Sequence, residues 1–303
     1  MSSLTKLDFI RLHTSLSCDS FDVDVVKEFG PFVNCTSNQA IIYGELIKES
    51  NVDVISKAAE LARTKYGSDD ENVLLQSYMY AAYSRDETVE DVRAIIDLFR
   101  YLSPETSVDR ICIKIPATYE GLEACRILKG LGIKTLATCV FSFEQAILAS
   151  EVGCCFLSPY INELKVHFTP GMIDEHKLFP TIRQIYEYYE DHGISTKIIL
   201  GSFVSSEEVM EVSGIHGVTL PPLILKELSS TLVSPGTTLS YPPRSTQTVK
   251  APERVFLDNE HDFREALSGD KEAARKLQEA IAAFLGFENQ LESIMRNAIQ
   301  KLV

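Results

Sequence analysis

A lysine stands inside an apolar run, Arg110-Ile-Cys-Ile-Lys-Ile-Pro-Ala117, and its surroundings set the chemistry it can do. Side chains alternate along an extended strand, so Cys112, Lys114 and Pro116 share one face, while Ile111, Ile113 and Ile115 share the other. With the isoleucines packed under helices, Lys114 points inward. Removing an ammonium from water is unfavourable, so the neutral, nucleophilic amine becomes accessible. The strand alone also fits a lysine that snorkels to solvent or pairs with a carboxylate.

The same alternation gathers uncharged polar groups near the ends of other short runs. Thr36 and Asn38 follow the second run, Thr138 lies between Leu136 and Val140, Ser158 lies between Phe156 and Tyr160, and Ser202 lies between Leu200 and Val204. Each one alone reads as a satisfied core hydroxyl or amide. A ring of them around a lysine suits a polyhydroxylated substrate. Asp19 sits in Ser17-Cys-Asp-Ser-Phe-Asp22, a stretch that also fits a turn or helix cap.

The elements that must carry these groups are short apolar runs alternating with longer amphipathic ones. The strand-like runs are Ser15–Cys18, Phe32–Cys35, Val73–Tyr78, Arg110–Pro116, Thr135–Phe141, Cys155–Pro159, Lys197–Ser202 and Gly217–Leu220. Ser142-Phe-Glu-Gln145 and Ser205-Ser-Glu-Glu208 fit capping boxes, and Thr118 can cap the segment bearing Leu122, Cys125 and Leu128. Eight strand–helix units specify a single (β/α)8 barrel over residues 1–228, with an open doubly wound sheet as the alternative. Residues 229–260, rich in Pro, Ser and Thr, read as loop. Residues 261–303 read as C-terminal helices, roughly Asp262–Phe287 and Glu288–Leu302, packed across the barrel as a lid or wall. Phe263, Ala266, Leu267, Leu277, Ile281 and Phe284 are their buried candidates.

Composition bounds the function. The 303 residues are 45% apolar and 24% charged, which supplies ample core for one domain of this size. A net charge of −14 argues against a nucleic-acid or anionic-membrane surface. No stretch approaches ~20 consecutive apolar residues, so no membrane span is expected. Seven cysteines without paired spacing read as reduced thiols in a cytoplasmic protein. Neither they nor the six histidines show metal-ligand spacing, so no metal and no cofactor is expected.

Several stretches together resemble the transaldolase family of class I aldolases, which includes the fructose-6-phosphate aldolases. Lys114-Ile-Pro-Ala-Thr-Tyr-Glu-Gly-Leu-Glu-Ala is similar to the family's Schiff-base lysine signature. Thr138-Cys-Val-Phe-Ser-Phe-Glu-Gln-Ala and Leu157-Ser-Pro-Tyr160 continue it at family spacing. Asp19, Thr36-Ser-Asn-Gln-Ala, Gly201-Ser-Phe, Thr219-Leu-Pro-Pro and Asp262-Phe-Arg-Glu-Ala-Leu complete it in order. The resemblance implies that Lys114 condenses with a ketone and holds it as an iminium that eases cleavage of the adjacent C–C bond. It further implies that Asp19 moves protons. By the same likeness Asn38, Thr138 and Ser158 bond the adduct, the catalytic water and the donor hydroxyls. The implied partners are a small ketone donor and an aldehyde acceptor, and the family habit implies a homodimer.

Three departures bear on the reaction. Tyr78 stands where transaldolases carry a third-strand glutamate, and Tyr160 stands where they usually carry phenylalanine and the small sugar aldolases carry an acid/base tyrosine. Glu163 and Val204 occupy the positions of the two arginines that grip substrate phosphate. A carboxylate in place of a guanidinium reverses the local charge, so an unphosphorylated donor is expected, with Glu163 suited to hydroxyls or an amine. The alternatives are a pentose-phosphate transaldolase acting on sedoheptulose 7-phosphate and glyceraldehyde 3-phosphate, or a non-catalytic scaffold.

Overall fold

The computed structural model describes residues 4–66, 80–242 and 255–301. Among them the chain forms seven strands: β1 (Ser15–Cys18), β2 (Asn34–Cys35), β3 (Cys112–Pro116), β4 (Lys134–Val140), β5 (Phe156–Pro159), β6 (Lys197–Leu200) and β7 (Gly217–Leu220). The helices in the first half are α1 (Lys6–His13), α2 (Val23–Phe29), α3 (Gln39–Leu46), α4 (Val52–Tyr66), α5 (Arg85–Leu102) and α6 (Tyr119–Gly130). Those that follow are α7 (Phe143–Glu151), α8 (Phe179–Asp191), α9 (Ser206–Glu211), α10 (Pro222–Ser230), α11 (Glu260–Gly269) and α12 (Lys271–Gln300).

All strand pairs are parallel, and the order is β2-β1-β7-β6-β5-β4-β3. The first strand pairs with the last, Ser17 opposite Thr219, and the order never reverses. A doubly wound sheet would reverse at a switch point; this curled sheet with its outer helices is a (β/α)8 barrel. The expected third run, Val73–Tyr78, lies outside the described residues, and with it Tyr78.

Helix starts follow the capping chemistry in the sequence. Thr118 accepts from Gly121 N at 2.9 Å, and Ser142 with Gln145 forms a complete capping box. Ser205 caps α9, but Glu208 bonds Val204 N and Asn162 Nδ2 instead of closing the box. The strand corresponding to the lysine run starts at Cys112, because Ser107 caps a 3-10 turn over Val108–Arg110.

The apolar core has two parts. The larger joins one face of the strands (Leu16, Ile115, Ala137, Leu157, Ile198, Val218) to the outer helices. The smaller lies at the C-terminal ends of the strands, where Cys139, Phe141, Tyr160 and Leu164 meet Ala273, Leu277, Ala280, Ile281 and Phe284 of α12. Each such large side chain taken from water contributes about 1.5–3 kcal/mol, enough to hold α12 across the barrel mouth. The C-terminal break falls at Asp270 rather than after Phe287. Asp270 accepts from Ala273 N and starts a 30-residue helix whose apolar spacing runs on past Gly286.

Candidate active site

Lys114 lies on β3 with Ile113 and Ile115 turned toward the helices, as alternation requires. Its side chain is partly buried, and its Nζ has Ser37 O at 3.5 Å and the Tyr160 ring centroid at 5.7 Å. Among the described residues no carboxylate lies within ion-pair reach of it. The amine therefore has a weak carbonyl contact and an aromatic face, within cation–π reach of about 6 Å.

Beside it, Thr138 Oγ1 donates to Tyr160 OH at 3.0 Å, both residues being buried. Because the phenol oxygen accepts from Thr138, the phenol's own proton remains for donation. Burial, reinforced by the Cys139 thiol and the Asp19 charge, pushes Tyr160 well above its ordinary value, so it stays a neutral donor. The geometry depends on a break in β4. Its register against β5 shifts between Ala137 and Val140, and Cys139 adopts φ +55°. Gln145, fully buried, holds this bulge by donating to Ala117 O and Cys139 O while accepting from Phe141 N and Ser142 N. Such bulges re-aim side chains beside sites.

Asp19 follows β1 and accepts from Thr36 Oγ1 at 2.6 Å, and Thr36 in turn meets the Thr219 hydroxyl from β7. This chain fixes the carboxylate over three strand ends. Asn38 caps α3 through Oδ1, which accepts from Ile41 N at 3.0 Å, leaving its amide N–H groups for a ligand. Ser158 is buried on β5, on the same face of the strand as Tyr160. Ser202 follows β6 with φ +62°, and its hydroxyl reaches Asn162 O and His167 Nε2.

Comparison with known proteins bears on this arrangement. The family model described as Transaldolase/Fructose-6-phosphate aldolase matches residues 16–295. The chain belongs to the transaldolase/fructose-6-phosphate aldolase family. It is 26% identical to Transaldolase A of Escherichia coli strain K12 over 96% of this chain and 99% of that protein. It is 27% identical to the transaldolase of Haemophilus influenzae over 96% of this chain and 98% of that one. Salmonella choleraesuis Transaldolase 2 is 25% identical at similar coverage. Membership carries an aldolase-type carbon–carbon bond chemistry, and at this identity the chain is a divergent member.

Val204 and Glu163, where the resemblance leads one to expect arginines, have contrasting surroundings. Val204 is exposed, while Glu163 is buried and bonded to Arg275 Nη1 at 2.8 Å. Arg275 also holds Glu272 and Glu279, so its guanidinium is already matched by carboxylates. Next to it on α12, Lys276 is buried against Asp174 Oδ2 at 2.8 Å and His176 O at 2.6 Å. Sequence spacing singled out neither Arg275, Lys276 nor Asp174, because their partners lie about a hundred residues away.

Other candidate sites lie elsewhere. A groove of about 1090 Å³ runs between α7, α8 and the α11–α12 junction, lined by Phe143, Arg183, Tyr188 and Lys271. No strand-end residue lines it. Among the described residues one trio could share a metal ion, His261, Asp262 and Glu265, all exposed on α11. All seven cysteines are free thiols, and no helix among the described residues is long and apolar enough to cross a membrane.

Proposed function

We propose that the protein is a Schiff-base transaldolase-like enzyme acting on an unphosphorylated ketose or hydroxyketone donor through Lys114. The observation that carries this is a partly buried amine with no carboxylate partner among the described residues, set beside a phenol donor at the mouth of a barrel. The Lys114 nitrogen adds to the ketone carbon, water leaves, and the resulting iminium accepts the electron pair of the adjacent C–C bond. Tyr160, neutral and seated on Thr138, donates to the departing hydroxyl. Asp19 relays protons from its anchor on Thr36, and Asn38, Ser158 and Ser202 bond donor hydroxyls. The enamine left behind takes either a proton or a second aldehyde.

Glu163 paired with Arg275 supports the unphosphorylated donor, because the loop after β5 offers no unmatched cation for a dianion. Borohydride reduction with dihydroxyacetone or fructose is expected to leave a mass adduct on Lys114, and none in Lys114→Ala. Absence of the adduct in the wild type defeats the imine. A second reading, a pentose-phosphate transaldolase, draws on Arg275 itself, which α12 brings to the barrel mouth. Saturable turnover of sedoheptulose 7-phosphate with glyceraldehyde 3-phosphate would establish it in place of the first.

A further inference from the structure

Tyr160 is gripped at both ends by β4, on either side of one residue. Its phenol oxygen accepts from Thr138 Oγ1 at 3.0 Å, and its backbone N–H donates to Val140 O at 3.3 Å. Cys139 lies between them. The span from Thr138 to Val140 therefore sets where the phenol stands relative to Lys114, whose Nζ is 5.7 Å from the ring centroid. That span is not regular strand. Ala137 faces Leu157 and Val140 faces Pro159, so β4 takes three steps where β5 takes two. Regular alternation would turn Cys139 toward the helices and Val140 inward. The bulge reverses both: Cys139 packs inward with Phe141 and Tyr160, and Val140 joins the core under the helices. Thr138 and Cys139 thus face the site in succession, which an unbroken strand does not allow.

The extra residue, Cys139, sits in the left-handed region at φ +55°, which a side chain disfavours. In a buried place its carbonyl and the N–H groups that follow need partners. Gln145 supplies them from the first turn of α7. Its Nε2 donates to Cys139 O at 3.1 Å and to Ala117 O at 2.9 Å. Its Oε1 accepts from Phe141 N at 2.8 Å and from Ser142 N at 3.1 Å. Both amide hydrogens and both lone pairs are used, and the residue is wholly buried. Ala117 is three residues past Lys114 in the same run. One side chain thereby ties the lysine's strand to the bulge that seats the phenol, while bonding to neither Lys114 nor Tyr160 itself.

We propose that Gln145 is a positioning residue for the reaction: by holding Cys139 in the left-handed region it fixes Tyr160 in place beside the Lys114 adduct. The role rests on the Lys114 imine and on Tyr160 as its proton donor. It needs an amide in particular. A glutamate of the same shape keeps the two accepting contacts but loses at least one of the two donating ones, and so aims a lone pair at a buried carbonyl.

The test uses the full chain with fructose, reading the borohydride-trapped adduct and glyceraldehyde release separately. Gln145→Glu is expected to trap fructose on Lys114 as fully as the wild type while releasing glyceraldehyde about 10-fold more slowly, the loss falling in kcat rather than KM. Adding Gln145→Glu to Tyr160→Phe is expected to slow release no further than Tyr160→Phe alone, because the seat no longer matters once the proton donor is gone. A residue that only supports the fold would slow both backgrounds alike. Should Gln145→Glu fail to fold, Gln145→Asn, which keeps both donors on a shorter stem, carries the same comparison. Equal slowing in both backgrounds overturns the assignment, as does release within about two-fold of wild type from the folded variant. Absence of any wild-type adduct defeats the Lys114 imine, and the assignment with it; wild-type trapping with additive variants defeats the assignment alone, so the two failures are distinct.

Discussion

Among the described residues, Lys276 and Lys114 are both drawn away from water, and they have opposite surroundings. Lys276 is 2% exposed, bonded to Asp174, to His176 O and, more distantly, to Glu272. Lys114 has one long carbonyl contact and an aromatic ring. Burial alone thus does not make a reactive amine; an ammonium matched by a buried carboxylate is a strut. The partner, more than the depth, separates framework from chemistry.

The sharpest way to break this contrast is to remove each lysine and read both activity and stability. Lys114→Ala is expected to lower turnover by roughly 10⁴-fold or more, with the denaturation midpoint almost unmoved. Lys276→Met is expected to do the reverse. It strands the Asp174 carboxylate in the core, a change that costs about 3–5 kcal/mol in urea unfolding, while trapping at Lys114 survives in the folded fraction. If Lys114→Ala destabilises the protein as much as Lys276→Met, the contrast is wrong.

Next in size is Tyr160→Phe, expected to slow turnover about 10²-fold while adduct formation persists. Since the phenol is pushed well above 10, the wild-type rate is expected to show no limb from Tyr160 at neutral pH. An unchanged rate in Tyr160→Phe reassigns it to packing.

The pH dependence of stability sharpens the other side. Burial would raise the Asp174 carboxyl, but the Lys276 ammonium and the N–H groups of Glu163 and His176 together hold it below its ordinary 3.8. A depressed carboxyl stabilises fully above its unfolded value and loses that contribution as pH falls through the folded one. The pair is therefore expected to stabilise throughout the neutral range and to fail only below about pH 4, read as the difference between wild type and Lys276→Met across an acid series. The smallest expected effect is that of Glu163→Gln, about 1 kcal/mol, because Arg275 keeps Glu272 and Glu279.

How much of this the sequence disclosed depends on the range of the forces involved. The runs Ser15–Cys18 and Gly217–Leu220 match β1 and β7 in full, since alternation and short apolar length are local signals. The inward face of Lys114 followed from the same period. The seventh run ends two residues early, at Leu200, because Ser202 turns into the left-handed region to reach Asn162 and His167. The long helix α12 was divided in the wrong place, as Gly286 was outweighed by an apolar stripe packed on a distant surface. His167 gave no local signal. Its hydrogen-bond partner, Ser202, lies 35 residues on.

The helix α12, about 45 Å long by its 30 residues, lays the roof over Cys139, Phe141, Tyr160 and Leu164. A ribosome delivers residues 271–300 well after Lys114. The strand ends therefore emerge first, and Cys139, Phe141, Tyr160 and Leu164 stay uncovered until the final stretch arrives. A nascent chain halted before that point carries those apolar side chains open to water, so the barrel mouth is completed late in synthesis.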